Sequence, residues 1–125
     1  MKKTKMLKKN YEFKNVLTKG KYYSGNVIES FIINNNFNYN YLGLAISVKV
    51  GKATTRNYIK RLIRENYRNL ENDIKTGYSI VFLWKKKADI KNANYYNIQE
   101  DVKNIFKLAN IFLEEDNKWK NYLLS

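Results

Sequence analysis

Residues 51–68 read GKATTRNYIKRLIRENYR, and this stretch constrains the fold more than any other. At about 100° per residue, helical spacing gathers apolar side chains on one face. They are Ile59, Leu62, Ile63, Leu70 and Ile74, with Tyr67 at the margin. The opposite face collects a continuous polar stripe of Asn57, Lys60, Arg61, Arg64 and Arg68. Because an amphipathic helix is stable only when its apolar face is covered, the rest of the chain has to supply a core for it.

This stretch also contains every arginine of the chain, although Lys plus Arg number 24. The planar guanidinium forms two parallel hydrogen bonds with a phosphate, which the ammonium of Lys does not. Arg56 lies at the expected helix start, after the cap candidates Thr54 and Thr55, where free N–H groups also attract anions. Only one acid, Glu65, lies between residues 51 and 70. We interpret the stripe as a phosphate-binding surface; the alternative is an ordinary solvated helix face.

Length and charge limit the classes of protein to which this chain can belong. With 125 residues, the chain has the length of one domain, residues 1–125. A formal net charge of +13 favours a polyanionic partner, with nucleic acid first and an anionic membrane as the competitor. No apolar run reaches the length of about 18 residues that a membrane helix needs, and no apolar segment follows the Lys-rich start. We therefore expect a cytoplasmic protein.

The chain has no Cys and no His, which leaves out thiolate and imidazole chemistry and the ordinary zinc sites. Its 11 Asp and Glu are scattered without the spacing of a metal cluster. We therefore predict no catalytic residue and no metal site in the protein. A nuclease that works alone with these carboxylates is a distant alternative.

The order of elements predicts an α+β fold. We expect a helix between Leu7 and Lys19, a turn or short strand at 21–25, a strand over 27–33 and a hairpin tip at 34–40. A strand over 42–50, the basic helix from about Thr55 to Leu70, an interior strand at 78–84 and a helix over 94–113 follow. The order α-β-β-β-α-β-α predicts a mixed sheet of about four strands with helices packed on it. Trp119 and the acidic run 114–116 have no assigned role.

The strand over 42–50 has an apolar face and a second face of small and polar residues, among them Gly43, Ala45 and Ser47. Phe13 and Phe31 are expected beside that second face. Single-stranded nucleic acid binds such surfaces by stacking its bases on aromatic rings. The alternative is that these rings belong to the core.

Two segments carry a resemblance to a known family. Residues 47–65, SVKVGKATTRNYIKRLIRE, resemble the signature of the protein subunit of bacterial ribonuclease P, in which an Arg-Asn-Arg helix continues as Ile-Lys-Arg-x-Ile-Arg. Here Tyr58 takes the third position of the triplet. Residues 7–20, LKKNYEFKNVLTKG, are similar to the family's first helix. The resemblance implies a ribosomal-protein-like fold with a left-handed βαβ crossover.

The resemblance also implies a function. In this family the RNA subunit is the catalyst and removes the 5′ leader of precursor tRNA with Mg²⁺, held mainly by the RNA and the substrate. The protein binds that catalytic RNA and the leader, with no obligate protein partner and no membrane. Contacts with RNA are implied for Lys49, Lys52, Arg56, Asn57, Lys60, Arg61, Arg64 and Arg68. A leader-binding cleft is implied for Phe13, Leu17 and Phe31. The alternative function is a non-enzymatic RNA-binding protein, such as a ribosomal protein or RNA chaperone.

Overall fold

A computed structural model describes residues 1–114 of the chain. Its strands are β1 (Thr4–Met6), β2 (Lys21–Ser24), β3 (Ile28–Asn34), β4 (Asn40–Leu44) and β5 (Tyr78–Trp84). Its helices are α1 (Asn10–Lys19), α2 (Ala53–Leu70) and α3 (Tyr95–Leu108). Short 3-10 turns span Val48–Val50, Glu71–Asp73 and Ile90–Asn92. The predicted α+β architecture is confirmed, and one further strand precedes the predicted order.

The sheet has five strands in the order β1-β4-β5-β3-β2. It is mixed, because β1 and β4 pair in parallel and so do β4 and β5, whereas β3 pairs antiparallel with β5 and with β2. The count exceeds the predicted four because Thr4–Met6, within the Lys-rich start, pairs with the beginning of β4. A three-residue strand is too short for alternation to reveal it in a sequence.

The predicted hairpin between β3 and β4 is wrong. These strands do not pair, because β5 lies between them and hydrogen-bonds to both. Ile80, Val81 and Phe82 are fully buried in β5, as expected for an interior strand. A strand that is apolar on both faces is stabilised most at the centre of a sheet, because helices there bury both of its faces. The turn at 35–39 therefore reverses the chain without closing a hairpin.

Helices α2 and α3 cover one face of the sheet and form the larger core with it. Tyr67, expected at the margin of the apolar face of α2, is fully buried. Its hydroxyl lies 2.7 Å from Thr4 Oγ1 and accepts a hydrogen bond from Asn40 Nδ2 at 3.2 Å. Burial raises the pKa of the Tyr67 phenol. This polar cluster connects β1 and β4 to α2.

Asp101 of α3 fixes the turn between β2 and β3. Its carboxylate is buried and accepts three hydrogen bonds, from the backbone N–H groups of Asn26 at 2.8 Å, Val27 at 2.7 Å and Ile28 at 3.0 Å. A Cβ at Gly25 would lie 2.5 Å from Asp101 Cγ, so the turn needs glycine there. A buried carboxylate is tolerated because these donors satisfy it.

Several element ends differ from the prediction. β4 stops at Leu44 instead of reaching Val50, and α2 begins at Ala53 with Lys52 as its N-cap residue, so Thr54 and Thr55 are not caps. α1 likewise has Lys9 at its N-cap. α3 ends at Leu108, after which Phe112 forms a bridge with Ile74.

Trp119 and positions 115–116 of the acidic run lie outside the described residues. No helix within residues 1–114 combines the length and the apolarity needed to cross a membrane.

Candidate nucleic-acid interface

The outer face of α2 carries the predicted basic stripe. Its inner face is buried through Ile59, Leu62, Ile63, Asn66 and Tyr67, which fixes the rotation of the helix about its axis. Asn57, Arg61 and Arg68 are exposed, whereas Lys60 and Arg64 are partly covered. The structure therefore brings the five stripe residues together on one surface, as the helical spacing predicts.

Few acids offset this charge. Within residues 1–114, the stripe has one ion pair, between Arg61 Nε and Glu65 Oε1 at 3.8 Å. Both side chains are largely exposed, and such pairs contribute little free energy because water screens them. The Arg61 guanidinium also lies 5.3 Å from the ring centroid of Tyr58. Arg61 thus remains accessible to a phosphate, with Tyr58 supporting it from the preceding turn.

The residues that lead into α2 extend the positive surface. Lys49 is exposed in the 3-10 turn, and Lys52 is exposed at the N-cap position. Arg56 is tied more tightly, because its Nη1 donates a hydrogen bond to the Gly51 carbonyl oxygen at 2.6 Å. Arg56 therefore helps to fix the turn that places Lys49 and Lys52. The Lys52 side chain does not cap the first turn of α2, whose N–H groups favour an anion.

Helix α1 lies on the opposite face of the sheet and forms the second candidate surface. Phe13, Leu17 and Phe31 are partly buried around Leu7, Val16 and Val81, so the three residues implied for a cleft do come together. Gly43 makes the floor of this site: a Cβ there would lie only 2.6 Å from Phe13 Cε1 and 2.9 Å from Leu7 Cδ1. The Phe13 ring thus rests directly on the backbone of β4.

Tyr22 is an aromatic residue of this surface that the sequence did not reveal. It pairs with Phe31 across β2 and β3, and their ring centroids are 5.2 Å apart. Its hydroxyl donates to Glu29 Oε2 at 2.6 Å, and this bond to a carboxylate raises the pKa of the Tyr22 phenol. The pairing register of β2 and β3 would have placed Tyr22 beside Phe31, but that register is not visible in an isolated sequence.

The two surfaces approach each other along the chain. Ala45 packs with the cleft cluster just after β4, and Lys49 follows it by four residues in the segment that leads into α2. The end of β4 therefore joins the cleft cluster to the turn that leads into α2. No group of three or more acidic side chains within residues 1–114 is placed to hold a metal ion.

Comparison with known proteins agrees with this arrangement. The ribonuclease P family model matches residues 1–110. The chain is 42% identical over 111 residues to the ribonuclease P protein component of Clostridium botulinum (strain Loch Maree / Type A3), covering 88% of this chain and 98% of that protein. The component from Clostridioides difficile (strain 630) is 39% identical over 110 residues, covering 87% and 95%. The structure of the Staphylococcus aureus RNase P protein superposes with a TM-score of 0.76 at 28% identity, covering 86% and 97%. The chain belongs to the ribonuclease P protein family.

Proposed function

We propose that this chain is the protein subunit of a ribonuclease P endoribonuclease, which removes the 5′ leader from precursor tRNA. The observation that carries the proposal is the match of the family model over residues 1–110, on a fold shared with RNase P proteins. In this assignment the RNA subunit performs the hydrolysis, and the protein supplies binding surfaces. The same match favours ribonuclease P over a ribosomal protein or an RNA chaperone.

The α2 surface binds the catalytic RNA. Its cations are Lys49, Lys52, Arg56, Lys60, Arg61, Arg64 and Arg68, and the neutral Asn57 lies between them. Glu65 is the one acid that forms an ion pair with them within the described chain. Arginine forks fix a phosphate backbone in orientation as well as in distance. Because binding releases counterions from the RNA, the affinity falls steeply with salt.

The α1 face binds the single-stranded leader. Phe13, Leu17 and Phe31 present apolar and aromatic surface in a partly buried cluster, and Tyr22 lengthens it. Unpaired bases stack on such rings with little sequence preference, because every base has a π-face. Mature tRNA lacks the leader and therefore gains no binding free energy from this stacking.

Mg²⁺ belongs to the RNA subunit and the substrate in this scheme. Within residues 1–114 no cluster of three or more acidic side chains is arranged to hold it. The protein instead supplies cations that screen the phosphates, so less Mg²⁺ is needed for the RNA and substrate to approach each other.

The test compares two variants in a binding assay with the catalytic RNA. Arg64→Ala should weaken binding by about 1–3 kcal/mol, because it removes charge-assisted hydrogen bonds. Lys103→Ala is the matched control, since it removes one exposed cation from a different helix, α3. Arg64→Lys keeps the charge and loses the fork, and should fall between wild type and Arg64→Ala. Equal affinities for Arg64→Ala and Lys103→Ala would show that the stripe contributes only through the net charge of the protein, and not as a specific binding surface.

A further inference from the structure

A second groove lies on the other flank of α1. It has a volume of 520 Å³ and runs between α1 and the turn that joins β3 to β4. Its walls include Tyr11, Glu12 and Asn15 from the helix, with Asn34, Phe37 and Tyr41 opposite. At 100° per residue, Phe13 and Leu17 project to one side of the buried Val16, whereas Glu12, Asn15 and Tyr11 project to the other. The groove therefore opens on the opposite flank of α1 from Phe13 and Leu17, and its floor, at Leu7 and Val16, is shared with the cleft cluster.

Exposed aromatic rings border both sides of this groove. Tyr11 is 68% exposed and Phe37 is 51% exposed, which is unusual for large apolar side chains. Phe37 stacks on Tyr39 with their centroids 5.1 Å apart and their planes at 5°, and Tyr39 meets Tyr41 edge to face at 5.4 Å. Phe37 and Tyr41 of this wall thus belong to a three-ring cluster with Tyr39, and half of the Phe37 side chain is left to solvent.

The turn that carries these rings is fixed before any ligand arrives. Asn35 Oδ1 accepts a hydrogen bond from the Phe37 backbone N–H at 2.8 Å, and Asn35 Nδ2 donates to the Tyr39 carbonyl at 3.3 Å and to Ser79 Oγ at 3.2 Å. Asn36 takes the left-handed conformation with φ 64° that closes the turn. A pre-ordered platform gives up little conformational entropy on binding.

The charge beside the groove is positive. Lys5 Nζ lies 4.3 Å from the Tyr39 ring centroid, and Lys9 Nζ lies 5.8 Å from that of Tyr11. The one acid in the wall, Glu12, is occupied, because its Oε1 accepts the backbone N–H groups of Lys9 at 2.8 Å and Lys8 at 3.3 Å. Stacking rings with cations at their edges are the features that bind single-stranded nucleic acid. Exposed Asn15 and Asn34 add amides that can hydrogen-bond base edges.

We propose that this groove binds unpaired nucleotides of the precursor tRNA leader that lie further upstream than those in the cleft. The inference rests on the proposed function, which brings the leader to α1. Lys8 and Lys9 stand at the N-terminal end of α1, between the two flanks, and provide a cationic path around the helix. A long leader passes from Phe13 around this end and stacks on Phe37 and Tyr11.

The test measures binding of precursor tRNAs whose leaders increase one nucleotide at a time, using the reconstituted holoenzyme under conditions that block cleavage. Phe37→Ala and Tyr11→Ala should match wild type for short leaders and bind about fivefold more weakly once the leader exceeds a threshold length, the low end for one base stack. Phe37→Leu should lose affinity nearly as much, since it keeps an apolar side chain without a ring. Tyr96→Ala is the matched control, because Tyr96 is 77% exposed on α3, across the sheet.

The outcomes separate this inference from the proposed function. Losses that are equal at every leader length, losses in binding the catalytic RNA alone, or no loss at all would each overturn the groove assignment. Phe13→Ala, measured beside them, reports on the cleft. If the affinity loss caused by Phe13→Ala varies with leader length and the loss caused by Phe37→Ala does not, the groove assignment is wrong and the cleft assignment holds. If only the loss caused by Phe37→Ala varies with leader length, the cleft assignment is wrong and the groove assignment holds.

Discussion

The contact between Gly43 and Phe13 gives a test of the leader-binding cleft that does not depend on removing the ring. In Gly43→Ala, the new Cβ would lie 2.6 Å from Phe13 Cε1. Ordinary carbon contacts are about 3.5–4.0 Å, so the ring has to move by about 1 Å. Overpacking of this kind costs about 1–3 kcal/mol of folding stability. If the displaced ring no longer stacks, leader binding loses up to about 1–3 kcal/mol, or about fivefold to 150-fold in affinity.

The assay is a double-mutant cycle of Gly43→Ala and Phe13→Ala, with affinities measured for precursor and mature tRNA. Each single variant should weaken precursor binding and leave mature tRNA unchanged. Phe13→Ala also removes the obstructing ring, so in that background Gly43→Ala should cost almost nothing further in precursor affinity, while the contact with Leu7 Cδ1 at 2.9 Å still lowers folding stability. Full additivity of the two losses would contradict a role for the Phe13 position, because Gly43→Ala would then act on the leader by a route other than Phe13.

Two substitutions and one pH titration test the parts of the fold that hold the surfaces in place. Tyr67→Phe should lower the free energy of unfolding by about 1–3 kcal/mol in denaturant titrations, since the Thr4 hydroxyl and the Asn40 amide would each lose a buried partner. Because the native pKa of Tyr67 is raised, the unfolded phenol ionises first and stability should fall as pH rises above about 10; a Tyr67→Phe protein with the same alkaline slope would contradict this. Asp101→Asn should destabilise the protein by about 1–3 kcal/mol, because an amide NH₂ faces backbone donors, and an unchanged denaturation midpoint would count against that role.

The basic helix was predictable because its information is local. The period of its apolar residues assigns Arg61, Arg64 and Arg68 to one face, and the structure places them there. The error at Tyr67 has a tertiary cause: β1 and Asn40 supply polar partners for its hydroxyl, which allows the whole side chain to be buried.

The order of the strands in the sheet could not be predicted from local sequence patterns. β5 lies between β3 and β4, and β1 joins the far edge, because long-range burial decides which strands are neighbours. The same limit hid Tyr22, which reaches Phe31 only through the register of β2 and β3. Phe13, Leu17 and Phe31 were anticipated together through the family resemblance, whereas the groove beside Phe37 depends on the conformation of a turn that the sequence marks only as polar.

Cleavage of a precursor tRNA at low Mg²⁺ shows whether this protein assists a catalytic RNA. The comparison uses the organism's catalytic RNA alone, this protein alone, and the two together. We expect correct 5′ maturation in the mixture at Mg²⁺ concentrations where the RNA alone is inactive, and no cleavage by the protein alone. A mixture no more active than the RNA would contradict it, and so would cleavage by the unaided protein.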